Sequence, residues 1–135
     1  MRLDPECIRD ILLEIESFSK WGGVYVYDPD NLPEGTRLAD YSPDTIMYHV
    51  RQCNLSGYLL NCMWSEFEYV AIEDLTPEGH AFVSNTRVEE RWLKTKSILS
   101  NLAGASLKIV SATAEGVTTA FLNKYMDELS ASLRK

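Results

Sequence analysis

The chain has 135 residues, of which 45% are hydrophobic and 24% charged, and its formal net charge is −7. That length suits one domain able to bury a core without staples, and the composition is that of an ordinary globular protein. No apolar run is long enough to cross a bilayer, and the charged start Met1-Arg2-Leu3-Asp4-Pro5 opens a helix rather than a signal peptide, so a cytoplasmic protein that does not engage a membrane is expected.

The acidity is unevenly spread. Residues 1–20 hold three basic and five acidic side chains, 21–56 two and five, and 57–75 none and four, whereas 76–135 hold eight basic and six acidic. A protein that lives on duplex DNA normally shows a basic face, which here can only come from the last segment. Cys7, Cys53 and Cys62 form no C-x-x-C pair and read as reduced, largely buried thiols.

Asp4-Pro5-Glu6 caps a first helix, along which Ile8, Ile11, Leu12, Ile15 and Phe18 form an apolar stripe; Gly22-Gly23 is expected to end it. This helix reads as scaffold without chemistry. Residues 24–27 are a short strand, and 28–35 are dense in turn formers and form a loop. Residues 36–41 leave room for a single turn or another short strand.

Ser42-Pro43-Asp44 caps the next helix, with Ile46, Val50 and Cys53 on its inward face. Thr45, Tyr48, Arg51 and Gln52 fall on other faces. They are candidates to read base edges if this is a recognition helix, or otherwise a solvated polar face. Two strands, 58–64 and 67–72, follow and join near Ser65-Glu66. Glu66, Glu68, Glu73 and Asp74 crowd this hairpin and would repel a phosphate backbone.

Thr76-Pro77-Glu78-Gly79 opens a long helix expected to run to Leu99 and to carry the basic cluster Arg87, Arg91, Lys94 and Lys96. Arg87, Arg91 and Lys94 are candidate phosphate contacts, unless the cluster meets an acidic partner or pairs with Glu89 and Glu90 on the same helix. Gly104 breaks the helix. Leu107, Val110, Ala114, Val117, Phe121 and Tyr125 then trace an amphipathic stripe. Leu107, Val110, Val117, Phe121 and Tyr125 are the candidate seam of a homodimer, with intramolecular packing as the alternative.

The order is α+β and mainly helical: helix, short strand, helix, β-hairpin, long helix. It is that of a winged-helix-like domain over 1–102, with an extra C-terminal amphipathic helix over 103–135. The helix that should support a recognition helix is missing between the strand and Ser42.

His49 and Cys53 stand four apart and could present a thiol–imidazole pair or two metal ligands, with Cys62 in the next strand, but no further ligand or orienting group accompanies them. His80 reads as a structural hydrogen-bonder. No phosphate loop, nucleophile elbow or H-E-x-x-H occurs, so no metal, cofactor or enzymatic activity is expected.

Arg9-Asp10-Ile11-Leu12, Tyr48-His49, Gly57-Tyr58-Leu59, the run Leu75-Thr76-Pro77-Glu78-Gly79-His80-Ala81-Phe82, then Arg87, Trp92 and Lys96 follow one another in an order and spacing that resembles a family of short bacterial and prophage proteins known as domain of unknown function 2513. The resemblance covers about two thirds of the chain. It implies a winged-helix-like fold and a mobile-element setting, and no activity or functional residues. Two functions fit these observations: a regulator that binds duplex DNA as a dimer, or an acidic module that binds a protein partner as adaptor or inhibitor.

Overall fold

The computed structural model describes residues 1–66, 68–102 and 104–134. Its elements run α1 (Pro5–Phe18), β1 (Tyr25–Tyr27), α2 (Pro43–Leu55), β2 (Leu59–Ser65), β3 (Tyr69–Leu75), α3 (Pro77–Thr86), α4 (Glu89–Leu99) and α5 (Leu107–Leu133). The protein is α+β and mainly helical, with one antiparallel three-stranded sheet in the order β1-β3-β2. The chain divides into two compact units, Met1–Val83 and Ser84–Lys135. The boundary expected at residue 102 therefore falls inside the second unit, and the division lies within α3.

The caps act as their residue types dictate. Asp4 accepts the Glu6 amide at 3.0 Å, and Ser42 accepts the Thr45 amide at 3.2 Å, each with proline in the first turn behind it. α1 stops at Phe18, short of the expected glycine pair; its last carbonyls are met by the Ser19 amide, which donates to Glu16, and Gly22 takes a positive φ of 78° three residues later. The hairpin is shifted too: β3 begins at Tyr69, because the Glu68 amide closes a tight turn onto the Ser65 carbonyl at 2.6 Å; Phe67 lies outside the described residues. Residues 36–41 form turns, not a strand.

The first unit packs α1, α2 and the sheet around Ile8, Ile11, Leu12, Ile15, Ile46, Val50, Val70 and Ile72, all buried. Burial does not alternate along β2, because Asn61 adopts φ 50° and its side-chain amide donates across to Glu73 at 2.7 Å. Val26 and Met63 both stand opposite Ala71, so with Tyr69 they make an apolar row on one open face of the sheet.

The long helix expected over 76–99 is two helices. Arg87 and Val88 leave helical geometry, and Val88, in extended conformation, begins α4 with no side-chain cap. In the second unit α4 and α5 lie against each other. α4 buries Trp92, Thr95 and Leu99, and α5 buries Leu107, Val110, Ala114 and Val117.

Candidate interaction surfaces

α2 is the helix whose polar face sequence reasoning singled out, and the structure ties down most of that face. Thr45 Oγ1 shares a hydrogen bond with the capping Ser42 hydroxyl at 2.8 Å. Tyr48 is half-buried, with the Arg51 guanidinium 5.6 Å above its ring, and Gln52 is also half-buried. Arg51 is exposed and is the one cation on α2.

His49 is buried. Its Nε2 accepts the Asp4 amide at 2.8 Å, and its Nδ1 faces the Thr45 carbonyl at 2.7 Å. A carbonyl only accepts, so Nδ1 carries the proton and the ring is the neutral Nδ1–H tautomer. Nε2 ties the start of α1 to α2, Nδ1 is spent on the backbone of α2 itself, and neither nitrogen is left for a thiol–imidazole pairing with Cys53. Burial pushes the Cys7 thiol up to about 12, the Cys62 thiol up to about 11 and the Cys53 thiol higher still, so the three are poor nucleophiles as folded. Among the described residues no group of three or more His, Cys, Asp and Glu is placed to hold a metal.

The loop ahead of α2 is held by side chains on α1, the helix that sequence reasoning read as bare scaffold. Glu14 is buried, and its carboxylate accepts the Thr36 hydroxyl at 2.8 Å and the Arg37 amide at 2.9 Å. Asp10 accepts the Tyr41 hydroxyl at 2.7 Å; burial raises its pKa against the opposing pull of that bond. Leu38 is buried between these two anchors in sequence. The loop is thus pinned at 36, 37, 38 and 41.

The densest cluster of resemblance residues is also structural. Thr76 donates its hydroxyl to the Gly57 carbonyl at 2.5 Å and its amide to the Tyr58 carbonyl at 3.0 Å, and then accepts the Gly79 amide at 3.2 Å. A Cβ on Gly79 would overlap the Tyr58 carbonyl oxygen. Glycine is required there by close approach, and the motif locks the exit of α2 to the entry of α3.

Open surface in the first unit lies elsewhere. Trp21 is fully exposed, beside a hollow of about 190 Å³ that Leu60, Glu73 and Asp74 also line. Trp64, Met63, Tyr69 and Val26 add exposed apolar area around the sheet. The unit carries fifteen acidic and five basic residues, a formal −10. The second unit carries five acidic and eight basic residues, a formal +3. There Arg91 and Lys94 hold their cations 6.0 and 5.2 Å from the Phe121 ring centre, and Arg87 lies in the break between α3 and α4.

Of the expected dimer seam, Leu107, Val110 and Val117 are buried within the chain and Phe121 is half-buried under those two cations; only Tyr125 is open. α4 runs along the first half of α5 and occupies that lane. Among the described residues no helix is long and apolar enough to cross a membrane. No curated protein and no solved structure matches the chain. The model of the family described as "Hypothetical protein (DUF2513)" matches residues 2–106. It takes in both anchored carboxylates, the Thr76–Gly79 lock and all of α4, and the chain belongs to that family.

Proposed function

We propose that this chain is a winged-helix-like binding module whose first unit takes a protein partner with a basic face, and that it is not a reader of duplex DNA. The order of helix, strand, helix and hairpin, with the strand paired to the hairpin, supports the winged-helix reading. The observation that carries the functional reading is the charge split. The candidate recognition helix sits in the unit of formal −10 and offers Arg51 alone against phosphate.

The same unit exposes Trp21 and Trp64, side chains that supply much of the binding energy where protein partners meet, among Glu66, Glu68, Glu73 and Asp74. A basic partner meets complementary charge there, and steering by that charge raises its on-rate.

Fluorescence polarisation with labelled mixed-sequence duplex, from low to physiological salt, tests the reading. No binding at low salt is expected, and a salt-steep isotherm overturns it. One observation favours the other reading: the positive balance of the second unit, with Arg87, Arg91 and Lys94 on or beside α4. If duplex binds through those residues, Arg91→Glu weakens it and flattens its salt dependence, whereas Arg51→Glu does so only if α2 enters a groove.

A further inference from the structure

Beyond Phe121, α5 carries apolar side chains that are exposed among the described residues of its unit. Leu122, Tyr125, Met126, Leu129 and Leu133 are 56, 61, 50, 42 and 77% exposed. Leu122, Met126, Leu129 and Leu133 are spaced four, three and four apart, which sets them in one stripe along three turns of helix.

The spacing reads the same from either end. A second copy laid antiparallel, with its two-fold axis between Asp127 and Glu128, puts Leu122 opposite the partner's Leu133 and Met126 opposite the partner's Leu129. Every layer is then filled by the same four residues, which is the condition for an isologous contact. The positions beside the stripe are Asn123, Tyr125, Ser130 and Ser132. None is charged, so the flanks of the stripe set no like charges against each other, and a different partner chosen by charge would find nothing to read along these positions.

The ends of the stripe are matched as well. Leu122 and Tyr125 line a hollow of about 390 Å³ with Val88, Glu90, Arg91 and Phe121. In this register the turn holding Leu133 and Arg134 of one copy arrives over the hollow of the other. There Leu133 gains apolar walls, and Arg134 comes near Glu90.

We propose that the chain forms an antiparallel homodimer through the 122–133 face of α5. The proposal stands independently of the ligand assigned to the first unit. The stripe spans about 17 Å of helix at ~1.5 Å per residue. A contact of three helical turns is small beside the roughly 1,000 Å² that a specific interface should clear, so the dimer is concentration-dependent rather than obligate.

Sedimentation of the full chain from low to several hundred micromolar tests this. The mass is expected to rise from one chain to two. Leu129→Glu, at an exposed position, should hold it at one chain with an unchanged melting curve and far-UV spectrum, while Leu93→Glu, exposed on α4 outside the stripe, should leave the dimer intact. In a Cys62→Ser background, oxidising a mixture of Leu122→Cys and Leu133→Cys chains should give the mixed disulfide, and neither chain alone should cross-link. A single-chain mass at every concentration overturns the proposal, as does a dimer that survives Leu129→Glu. Self-linked Leu122→Cys, or no mixed disulfide, overturns the antiparallel register.

Discussion

The two units of this chain hold their structure by different means. Met1–Val83 is acidic and relies on buried polar side chains: Glu14 makes two hydrogen bonds to groups distant in sequence, His49 makes one to Asp4 and one within its own helix to Thr45, and both are buried. Ser84–Lys135 is basic on balance, and its helices meet through apolar lanes, with much of α5 open. A polar network needs every member in place, because an unpaired buried group costs more than a pair gains, so the first unit should respond steeply to small chemical changes. The second should respond mainly to volume and helix propensity.

Glycine to alanine is the sharpest way to test that contrast. At Gly79 the new methyl would overlap the Tyr58 carbonyl at the lock between α2 and α3, and the atoms around it, the Tyr58 backbone and the Leu75 Cβ, include no flexible side-chain end to yield. Gly79→Ala is expected to cost about 3 kcal/mol or more in urea unfolding. At Gly116, in the middle of α5, the added methyl meets nothing within 4 Å. Gly116→Ala should therefore stabilise the protein, by roughly 0.5–1 kcal/mol. If both variants shift the midpoint in the same direction, the two units do not differ as described.

Next in size is the Glu14 carboxylate. Glu14→Ala strands the Thr36 hydroxyl and the Arg37 amide in a buried site, and the expected loss is about 2 kcal/mol. Glu14→Gln keeps an acceptor oxygen and should lose less. On α5 the exposed Glu115→Ala should change stability by no more than about 0.5 kcal/mol. Equal losses at Glu14 and Glu115 would mean that the loop is not held through α1.

Thiol labelling should separate the cysteines by burial alone. With Cys53 and Cys7 enclosed and their thiols held protonated, iodoacetamide at neutral pH should modify the half-buried Cys62 slowly and the other two only on unfolding, read by mass spectrometry. Fast labelling of Cys7 would contradict the packing of α1.

The elements with local signals were legible in the sequence: Asp4 and Ser42 as caps, β1, the hairpin, and the apolar faces of α1 and α2 all lie where their residues place them, to within a few positions. The features it concealed depend on contacts distant in the chain. Glu14 looks like a solvated residue between apolar neighbours until Thr36 and Arg37 are folded onto it. The break at Arg87-Val88 has neither glycine nor proline to announce it.

α5 shows a different failure. Both of its stripes are visible in the sequence, but following the lane from Leu107 straight to Tyr125 hides the second one, which starts at Leu122 on a rotated face once α4 has covered the first. For the candidate interaction residues, identity was legible and availability was not, because Thr45 and Tyr48 are engaged by neighbours on their own helix.

The smallest effect expected is a pH dependence confined to the first unit. Burial raises the Asp10 pKa, with the Tyr41 hydroxyl pulling the other way, so in the folded chain this carboxyl keeps its proton to higher pH than in the unfolded chain, where it titrates near ~3.9. Between those two values the folded state binds more protons than the unfolded one, and stability from this group falls as pH rises. The contribution is present below the unfolded pKa and is lost as pH passes the raised folded value. Asp10→Asn removes the titration but still offers Oδ1 to Tyr41. Unfolding the parent and the variant in urea across roughly pH 3 to 7 should give a stability difference that moves in favour of the variant with rising pH and then levels. A difference that stays flat would mean that hydrogen bonding to Tyr41 balances burial at this site, and one that moves toward the parent would mean that it outweighs burial.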